Sequence, residues 1–410
     1  MDFSAFSMSK PPTVASIVPN PFILDSRVEK EAKSLSHGGY NVTVHAMPSA
    51  SLAAHEKREE YSVERMPLRT FSLGGGFFSQ AIKLLEYSIR LGWHTRNVDV
   101  FHCHDYISLA PMLAAKCIFG AKGIVIYDSH ELQSEQGQSI LRSNCVFLLE
   151  WLAAPFFRVL ITVSHQIGEF YKIHFNHPLH ILVLNTPPLL RWSLLREAKK
   201  NRSNMRSRLG LPQEGLVLLM QGSLTPERGV GELLEAFKDM EDTNWNLVFI
   251  GNAGPLHSGF LCEANVKKAA QERPNIFYHQ SVSYDELLFY TAIADVGVVM
   301  TKDTCLNNRF SLPNKFFEYA MVGIPLLVSD LPAMSNLVTK YDAGVICSEP
   351  LVPSIRNCLN SLGDQDLIAM GLNARRMAEA NSWEKQEKIL LQTYNKVIGL
   401  TNSSASSEVI

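Results

Sequence analysis

The chain has 410 residues, of which 46% are hydrophobic and 19% charged, and this length allows two separate cores. Its formal net charge of −2 lacks the basic footprint of a nucleic-acid-binding protein, so we expect no nucleic acid as a partner. The seven scattered cysteines contain no CxxC pair. The sequence therefore predicts neither a disulfide framework nor a zinc site, and it favours a cytoplasmic protein.

No segment has the composition of a secretion signal or a membrane span. Residues 1–12 are polar and lack the apolar core of a signal peptide. The longest apolar stretch, residues 146–163, is interrupted by two charged residues and a proline. Residues 77–91 predict an amphipathic helix with basic residues, which could dock on a membrane or could instead face the core of the first domain. Peripheral contact at the inner face of the membrane therefore stays open.

Apolar runs alternate with helical stretches along the whole chain. In the first half these runs occupy residues 14–18, 39–44, 98–103, 123–127 and 159–163. In the second half they occupy residues 215–220, 247–250, 296–300 and 325–328. Strands that alternate with helices imply parallel sheets with right-handed crossovers. The expected fold class is α/β, with two Rossmann-like, doubly wound parallel-sheet domains facing a central cleft.

The composition also suggests where the domains begin and end. A Pro-Pro pair and a strongly basic stretch separate the two series of strands, and the chain ends in a Ser-rich segment. We predict an N-terminal domain at 1–186, a linker at 187–212, a C-terminal domain at 213–378, a helix packing back on the first domain at 379–400, and a disordered tail at 401–410.

The most informative string covers residues 311–325 and precedes a buried strand. A helix should open beside Pro313 and end at Gly323. Lys315 and Glu318 then share one helical face near the N-terminus. A cation and a helix terminus can hold a diphosphate, and a carboxylate one turn later can accept the hydroxyl protons of a ribose. The plain alternative is a surface Lys–Glu pair.

This string resembles the donor-binding segment of glycosyltransferase family 4, whose helix carries the Glu that binds the nucleotide ribose. Segments similar to the family's other donor loops follow the expected order, at residues 221–229, 249–254, 282–288 and 294–298. Related strings of the first half lie at residues 25–28, 101–105, 127–131 and 163–164. The resemblance implies the GT-B fold and sugar transfer from a nucleoside diphosphate sugar, with retention and without a metal or other cofactor.

The same resemblance assigns a role to each matching residue. The donor-binding residues would be Gly222, Ser223, Arg228, Gly251, Val282, Asn314, Lys315 and Glu318. The catalytic residues would be His130, Arg228 and Lys315. The sugar or acceptor side would hold Arg27, His104, Asp105, Asn307 and Asn308. Fixed cations suit this chemistry because the departing diphosphate gains negative charge in the transition state.

Two positions depart from the family pattern. The second acidic residue of the family, eight positions before the ribose-binding Glu, is here Phe310. Neighbouring Asn307, Asn308 or Arg309 could contact the sugar by hydrogen bonds instead. The phosphate loop has Ser223 where the family has Arg, so Lys315 should carry more of the phosphate charge.

Two acid-containing motifs could suggest a metal. Asp364 and Asp366 form an Asp-x-Asp motif, but they precede a helix, where acids cap the N-terminus. His102, His104 and Asp105 end a buried strand, in which adjacent residues point to opposite faces. A loop role is the better interpretation, and no metal ligand is predicted.

The sequence thus predicts a metal-independent glycosyltransferase of glycan or glycoconjugate biosynthesis. A UDP-sugar is favoured over a GDP-sugar as donor. The acceptor is unidentified and could be a glycan, a lipid-linked sugar, a protein or a small molecule, and the sequence does not disclose the oligomeric state. Two alternatives stay open: a sugar-nucleotide epimerase of the same fold, and a catalytically silent GT-B subunit that binds a partner enzyme.

Overall fold

The computed structural model describes residues 10–23, 25–175, 180–240, 244–253 and 257–402. Its packing forms two compact units. The first unit runs to Val183 and takes up the chain again from Glu387, and the second comprises Leu184–Gln386. Most of the predicted tail (403–410) and the first nine residues of the polar N-terminus lie outside the described residues.

The first unit contains an eight-stranded sheet with the order β3-β4-β2-β1-β5-β6-β7-β8. Its strands are β1 (Thr13–Ile17), β2 (Asn41–Ala46), β3 (His55–Lys57), β4 (Ser62–Arg65), β5 (Val100–His104), β6 (Ile124–Ser129), β7 (Phe157–Thr162) and β8 (His180–Leu182). All neighbouring strands pair in parallel except β3 and β4, which are antiparallel. A parallel sheet is as predicted, and the antiparallel edge strand is an addition to it.

The helices of the first unit connect these strands as crossovers. They are α1 (Ser26–His37), α2 (Phe77–His94), α3 (Leu109–Leu113), α4 (Ile140–Ala153) and α5 (His165–Phe175). Helix α1 begins where the Asp25 carboxylate accepts a hydrogen bond from the backbone N–H of Val28 at 3.3 Å. This cap fixes the first turn of the helix that carries Arg27.

The second unit contains a six-stranded, fully parallel sheet with the order β11-β10-β9-β12-β13-β14. Its strands are β9 (Leu216–Gln221), β10 (Trp245–Ile250), β11 (Ile276–His279), β12 (Val296–Val299), β13 (Leu326–Ser329) and β14 (Gly344–Cys347). The strands β9, β10, β12 and β13 are buried along their length, apart from the first residue of β9. Buried parallel strands explain why the sequence shows continuous apolar runs here.

The helices of the second unit begin in the basic stretch after the first unit. They are α6 (Trp192–Lys200), α7 (Arg202–Arg208), α8 (Val230–Ala236), α9 (His257–Glu272), α10 (Tyr284–Thr291), α11 (Leu306–Phe310), α12 (Asn314–Val322), α13 (Pro332–Tyr341), α14 (Leu351–Ser361) and α15 (Asp364–Ala380). Arg206 of α7 is buried and lies 3.0 Å from the Asp295 carboxylate, so this stretch belongs to the packing of the second unit. A last helix, α16 (Trp383–Asn402), starts in the second unit and continues into the first.

Strand order fixes where a ligand can approach each sheet. In the second unit β10 and β12 lie on opposite sides of β9, and in the first unit β2 and β5 lie on opposite sides of β1. The chain therefore leaves the central strand in opposite directions, and a crevice opens at the carboxyl ends of the strands at that point. The loops after β9, β10 and β12 and the start of α12 form this edge of the second unit.

Helix α12 is fixed against the sheet by a glycine in β12. A Cβ atom on Gly297 would lie 2.2 Å from the ring of Tyr319, so only glycine lets this ring rest on the strand. Tyr319 is fully buried, and the helix ends at Gly323, whose φ of 75° is left-handed. The predicted start beside Pro313 and end at Gly323 are both found.

Replacing Gly297 with alanine should destabilise the second unit. Because the new methyl group meets a ring that cannot move, Gly297→Ala is expected to lower the free energy of unfolding by about 1–3 kcal/mol in urea titrations. Gly231→Ala in α8 is the control, since a Cβ there meets nothing within 4 Å. This control should be neutral or stabilising by up to about 1 kcal/mol, and equal losses in both variants would contradict the packing argument.

Candidate functional site

The side chain of Lys315 lies in the first turn of α12 and is 7% exposed. Its Nζ atom has no hydrogen-bond partner among the described residues. Burial lowers the pKa of the Lys315 amine to about 7; the Arg228 guanidinium also lowers it, and the Glu318 carboxylate raises it. A buried amine without an acceptor, at the edge where the sheet opens, is a candidate anion site.

Arg228 comes from the loop that follows β9. This loop turns at Gly222, with φ of 101°, and at Gly229, with φ of 68°, and both values favour glycine. The guanidinium lies along the loop: a Cβ on Gly222 would be 3.2 Å from Nη1, which also donates to the carbonyl of Ser223 at 3.5 Å. The loop therefore holds Arg228 close to Lys315.

The loop after β10 packs directly on the loop after β9. A Cβ on Gly251 would lie 1.9 Å from the carbonyl oxygen of Gly222, so the two backbones touch there. The backbone N–H of Gly222 donates to the Ile250 carbonyl at 2.9 Å. The segment predicted from the sequence extends to Gly254, which lies outside the described residues. Two glycines thus shape one continuous loop edge beside Arg228.

Glu318 is oriented by a glutamine at the end of β9. Gln221 Nε2 donates to Glu318 Oε2 at 2.6 Å, and the hydroxyl of Thr291 lies 3.0 Å from Gln221 Oε1. A carboxylate can only accept, so the amide must present its nitrogen to Glu318. Gln221 is 2% exposed. Its contacts set the direction of the carboxylate in a way that the resemblance did not predict.

Tyr319 ties α12 to the same strand end. Its hydroxyl donates to the carbonyl of Leu219 at 3.0 Å and accepts from the backbone N–H of Gln221 at 2.8 Å. The hydroxyl therefore makes the two backbone hydrogen bonds that a neighbouring strand would make at the end of β9. Lys315 and Glu318 lie four positions and one position before Tyr319 on this helix, so their positions are fixed relative to the β9 loop.

The remaining predicted residues of the second unit surround this group less closely. Asn314 is exposed at the first position of α12, and Val282 is half-buried between β11 and α10. Asn308 of α11 donates to the Lys302 carbonyl at 3.3 Å. Arg309 is engaged by the exposed carboxylate of Asp303 at 2.6 Å. Arg309 is thus already paired with the loop that precedes α11.

In the first unit, His130 and Asp105 form the accessible part of a buried polar cluster. They are 18% and 17% exposed. The backbone N–H of His130 donates to Asp105 Oδ1 at 3.1 Å. His130 Nε2 lies 3.1 Å from His104 Nδ1 and 3.2 Å from Asp128 Oδ2. Burial lowers the pKa of His130, but Asp105 and Asp128 raise it more, to about 9.

Arg27 and His104, both predicted on the acceptor side, lie behind these two residues. Arg27 is 2% exposed and donates two hydrogen bonds to Asp128, at 2.9 and 2.8 Å, and one to the Val183 carbonyl at 2.9 Å. His104 is fully buried, and its Nε2 lies 2.9 Å from the hydroxyl of Ser16. Both residues therefore support Asp128 and His130 and do not offer free groups at the surface.

The structure also supports the capping interpretation of the Asp-x-Asp motif. Asp366 accepts the backbone N–H of Gly363 at 3.1 Å and closes the first turn of α15. The second motif differs from the sequence argument, because His102 and His104 are two positions apart and not adjacent. Their rings lie on one face of β5 and stack with centroids 4.2 Å apart. Two-residue spacing in a strand is the signal that could have indicated this.

The second unit carries the sequence signature of a known family. Residues 201–380 match the family model for glycosyl transferases group 1. Over 324 residues the chain is 22% identical to the chitobiosyldiphosphodolichol beta-mannosyltransferase of Candida albicans, covering 74% of this chain and 69% of that enzyme. The match extends beyond the second unit into the first.

Solved structures with the same fold cover nearly the whole chain. The sucrose-phosphate synthase of Thermosynechococcus elongatus has a TM-score of 0.76 at 16% identity, over 95% of this chain and all of that one. The Anabaena protein HepE, solved in complex with UDP-glucose, has a TM-score of 0.67 at 13% identity, over 96% of this chain and 99% of that one. At these identities the likeness concerns the fold of the two α/β units.

None of the described helices has the length and apolar character needed to cross a membrane.

All seven cysteines are free thiols, and only Cys103 and Cys347 are buried.

Removing the amine of Lys315 should stabilise the unliganded protein. Lys315→Met deletes a buried group without an acceptor, so the free energy of unfolding should rise by about 1–3 kcal/mol. The folded pKa of about 7 lies below the ordinary 10.5, so the unfolded chain holds an extra proton between these values. Stability therefore rises with pH across that window, and the gain from Lys315→Met should be largest at pH 7 and below.

Urea titrations from pH 6 to 10 measure this gain. Lys268→Met is the control, because that side chain is 71% exposed. A gain that is absent, or that does not shrink with rising pH, would contradict the assigned environment of Lys315.

Proposed function

The chain is a glycosyltransferase with the GT-B fold, and we propose that it transfers a sugar from a UDP-sugar to an acceptor in glycan or glycoconjugate biosynthesis. The observation that carries this proposal is the group formed by Lys315, Arg228 and Glu318 at the strand ends of the second unit. It combines two cations with one oriented carboxylate, which matches a diphosphate and a ribose.

We assign the diphosphate to Lys315, Arg228 and the N-terminus of α12. The buried Lys315 amine has no acceptor among the described residues, and a phosphate oxygen would supply one. The exposed backbone at Asn314 adds the positive end of the helix dipole. Arg228 provides a planar donor that can grip phosphate through two hydrogen bonds. Ser223 adds no charge, so these two cations carry the role.

We assign the ribose to Glu318. Gln221 donates to one carboxylate oxygen of Glu318 at 2.6 Å and so orients the carboxylate. A fixed carboxylate can accept both hydroxyl protons of a ribose without losing rotational freedom on binding. Gly222 and Gly251 let the backbone of the two loops approach the nucleotide closely.

The chemistry follows from the same charges. The bond between sugar and diphosphate breaks with negative charge growing on the leaving oxygen, and fixed cations in a water-poor site stabilise that charge more than the ground state. Two protein cations can do this without a metal, so we propose metal-independent transfer. We further propose retention, and a UDP-sugar over a GDP-sugar; HepE, with the same fold, is solved with UDP-glucose.

We propose that His130 and Asp105 of the first unit contact the acceptor. For the second unit, we propose that Asn307 and Asn308 of α11 contact the transferred sugar. His130 is partly exposed and its raised pKa keeps the ring protonated near neutral pH, so it can donate to a sugar hydroxyl or phosphate. Phe310 offers no carboxylate to the sugar. The contact that family members make with this acid therefore falls to the asparagines.

To test this function, the purified chain is incubated with UDP- and GDP-sugars and the release of nucleoside diphosphate is measured. The affinity for UDP is measured separately. Glu318→Gln should weaken UDP binding by about 10–100-fold, because a charge-assisted hydrogen bond contributes roughly 1.5–3 kcal/mol. The same variant should bind 2′,3′-dideoxy-UDP as well as the wild type does. Glu272→Gln, at a side chain that is 58% exposed, is the matched control.

The alternatives give different results in this experiment. An epimerase would change the sugar of the donor without releasing nucleotide, and a silent subunit would bind no nucleotide sugar. Equal losses of UDP and dideoxy-UDP in Glu318→Gln would contradict the ribose role. Proton NMR of the product's anomeric signal decides between retention and inversion.

From helix α2 we propose that the protein meets its acceptor at a membrane surface. Helix α2 buries Tyr87 and Leu91 in the first unit, while a second stripe stays exposed. This stripe consists of Phe78 (81% exposed), Ile82 (49%), Leu85 (61%), Ile89 (42%) and Trp93 (54%). Apolar residues at this spacing, with the basic Lys83 beside them, are typical of helices that lie in the interface of anionic membranes. Arg90 of the same helix is paired with Glu86 at 3.0 Å.

Helix α4 adds to the same interpretation, because Leu148, Trp151 and Leu152 are also about half exposed. The Candida relative is named for a dolichol-linked acceptor. We therefore propose a lipid-linked sugar as the acceptor, met at the membrane surface by α2.

Vesicle flotation tests this surface. The double variant Ile82→Glu, Leu85→Glu should reduce binding to vesicles containing anionic lipid by about tenfold or more, because each charge opposes insertion. Ile368→Glu on α15 removes an equally exposed apolar residue (67%) from the second unit and should bind like the wild type. Unchanged flotation of the double variant, or no binding by the wild type, would contradict a membrane role for α2.

A further inference from the structure

Four ionisable side chains of the first unit meet at one point of its interior. They are Glu31 of α1, His102 and His104 of β5, and Asp128 of β6. One possible ligand atom from each lies within 4.8 Å of all the others. Every one of these side chains is 1% exposed or less. We call this group the buried tetrad; none of its members belongs to the donor site of the second unit.

The distances within the tetrad fit a coordination shell better than a hydrogen-bond network. His102 Nε2 lies 3.6 Å from Glu31 Oε2 and 3.8 Å from Asp128 Oδ2. His104 Nδ1 lies 3.9 Å from Glu31 Oε2 and 3.5 Å from Asp128 Oδ2. These separations are long for hydrogen bonds. Ligands about 2.1 Å from a tetrahedral ion are roughly 3.4 Å from one another, close to the spacing seen here.

Two of the converging atoms have nothing else to bind. Glu31 Oε2 and His102 Nε2 have no hydrogen-bond partner among the described residues. Arg27 Nε lies 3.1 Å from the other oxygen of Glu31, but it donates its hydrogen to Asp128 at 2.9 Å. Buried polar atoms are rarely left without a partner. Two such atoms that face the same point therefore indicate a ligand there.

The groups around the tetrad hold it as metal ligands are usually held. His102 Nδ1 lies 2.7 Å from the hydroxyl of Tyr394, and His104 Nε2 lies 2.9 Å from the hydroxyl of Ser16. If each remote nitrogen donates to its hydroxyl, the lone pair of His102 Nε2 faces the centre of the tetrad. His104 Nδ1 lies 3.1 Å from His130 Nε2, so His130 must release this contact when His104 binds the ion. Metal-binding histidines are oriented by such outer contacts, and Arg27 likewise fixes the Asp128 carboxylate.

The local charge also favours a cation. Three carboxylates, on Glu31, Asp105 and Asp128, face the guanidinium of Arg27 in this interior. With His130 protonated, one negative charge remains when all three carboxylates are ionised, and a divalent cation would compensate it as His130 releases its proton. Burying an uncompensated charge is strongly unfavourable, so the site must take up either a cation or protons.

We propose that the buried tetrad is a structural site for a divalent transition-metal ion, with Zn²⁺ the best match to two imidazoles and two carboxylates. All four ligands are protein side chains and the site is closed to solvent, so the ion would hold α1, β5 and β6 together. It would take no direct part in sugar transfer.

Metal analysis of the full chain, produced without a polyhistidine tag, tests the proposal. We expect about one zinc per chain by inductively coupled plasma mass spectrometry, and X-ray absorption should show two imidazole nitrogens and two oxygens at about 2.0–2.2 Å. Glu31→Gln and His102→Gln should each lose most of this zinc. His94→Gln is the matched control and should retain it, because His94 belongs to a separate group with His45 and Glu64.

Stability and ligand binding provide readouts that do not depend on catalysis. Stripping the wild type with a strong chelator should lower the melting temperature by about 5 °C or more, and added Zn²⁺ should restore it. UDP affinity of the second unit should not change, so failure of this proposal is distinguishable from failure of the proposed transfer function. The X-ray absorption measurement uses the wild type and is unaffected if a variant folds poorly.

Protons are the competing way to neutralise the same charge, with Glu31 neutral and His130 protonated. In that case the wild type would hold less than about 0.1 zinc per chain after reconstitution with Zn²⁺ and would not respond to the chelator. That result would overturn the proposal, as would zinc that is kept by both tetrad variants and lost only by His94→Gln.

Discussion

The donor site depends on a positive charge that the protein holds out of water without an acceptor of its own. Lys315 is buried beside a second cation, Arg228, and both burial and that neighbour disfavour its charged form. The Glu318 carboxylate offsets this only in part. A bound phosphate group would give Lys315 negative charge and hydrogen-bond acceptors, and the stabilisation of the charged amine then contributes to the free energy of binding.

Much of this arrangement could be predicted because it depends on residues that are close together in the sequence. Pro313 and Gly323 mark the two ends of α12 since each has a conformation that few other residues share. The apolar runs predict buried parallel strands, and their alternation with helices predicts two sheets of the same topology. Once α12 is placed, the spacing of Lys315 and Glu318 alone puts both on one face.

Contacts between distant parts of the chain could not be predicted in the same way. Gln221 and Glu318 are 97 positions apart, and Arg27 and Asp128 are 101 apart, so no local pattern links them. The antiparallel edge strand β3 has only three residues, too few for a periodic signal. Burial of Arg27 is a further case, because long charged residues are mostly exposed unless a paired partner, here Asp128, is known.

The hydroxyl of Tyr319 has a mechanical consequence for how such a site can change. It bonds to two backbone groups of β9 from the middle of α12, so the helix and the central strand move as one rigid body. Seven of the nine residues of α12 are buried, so a substitution within this helix would disturb the sheet together with the site. We therefore expect new sugar or base preferences to arise in the loops around α12, while the frame that presents Lys315 and Glu318 is inherited intact.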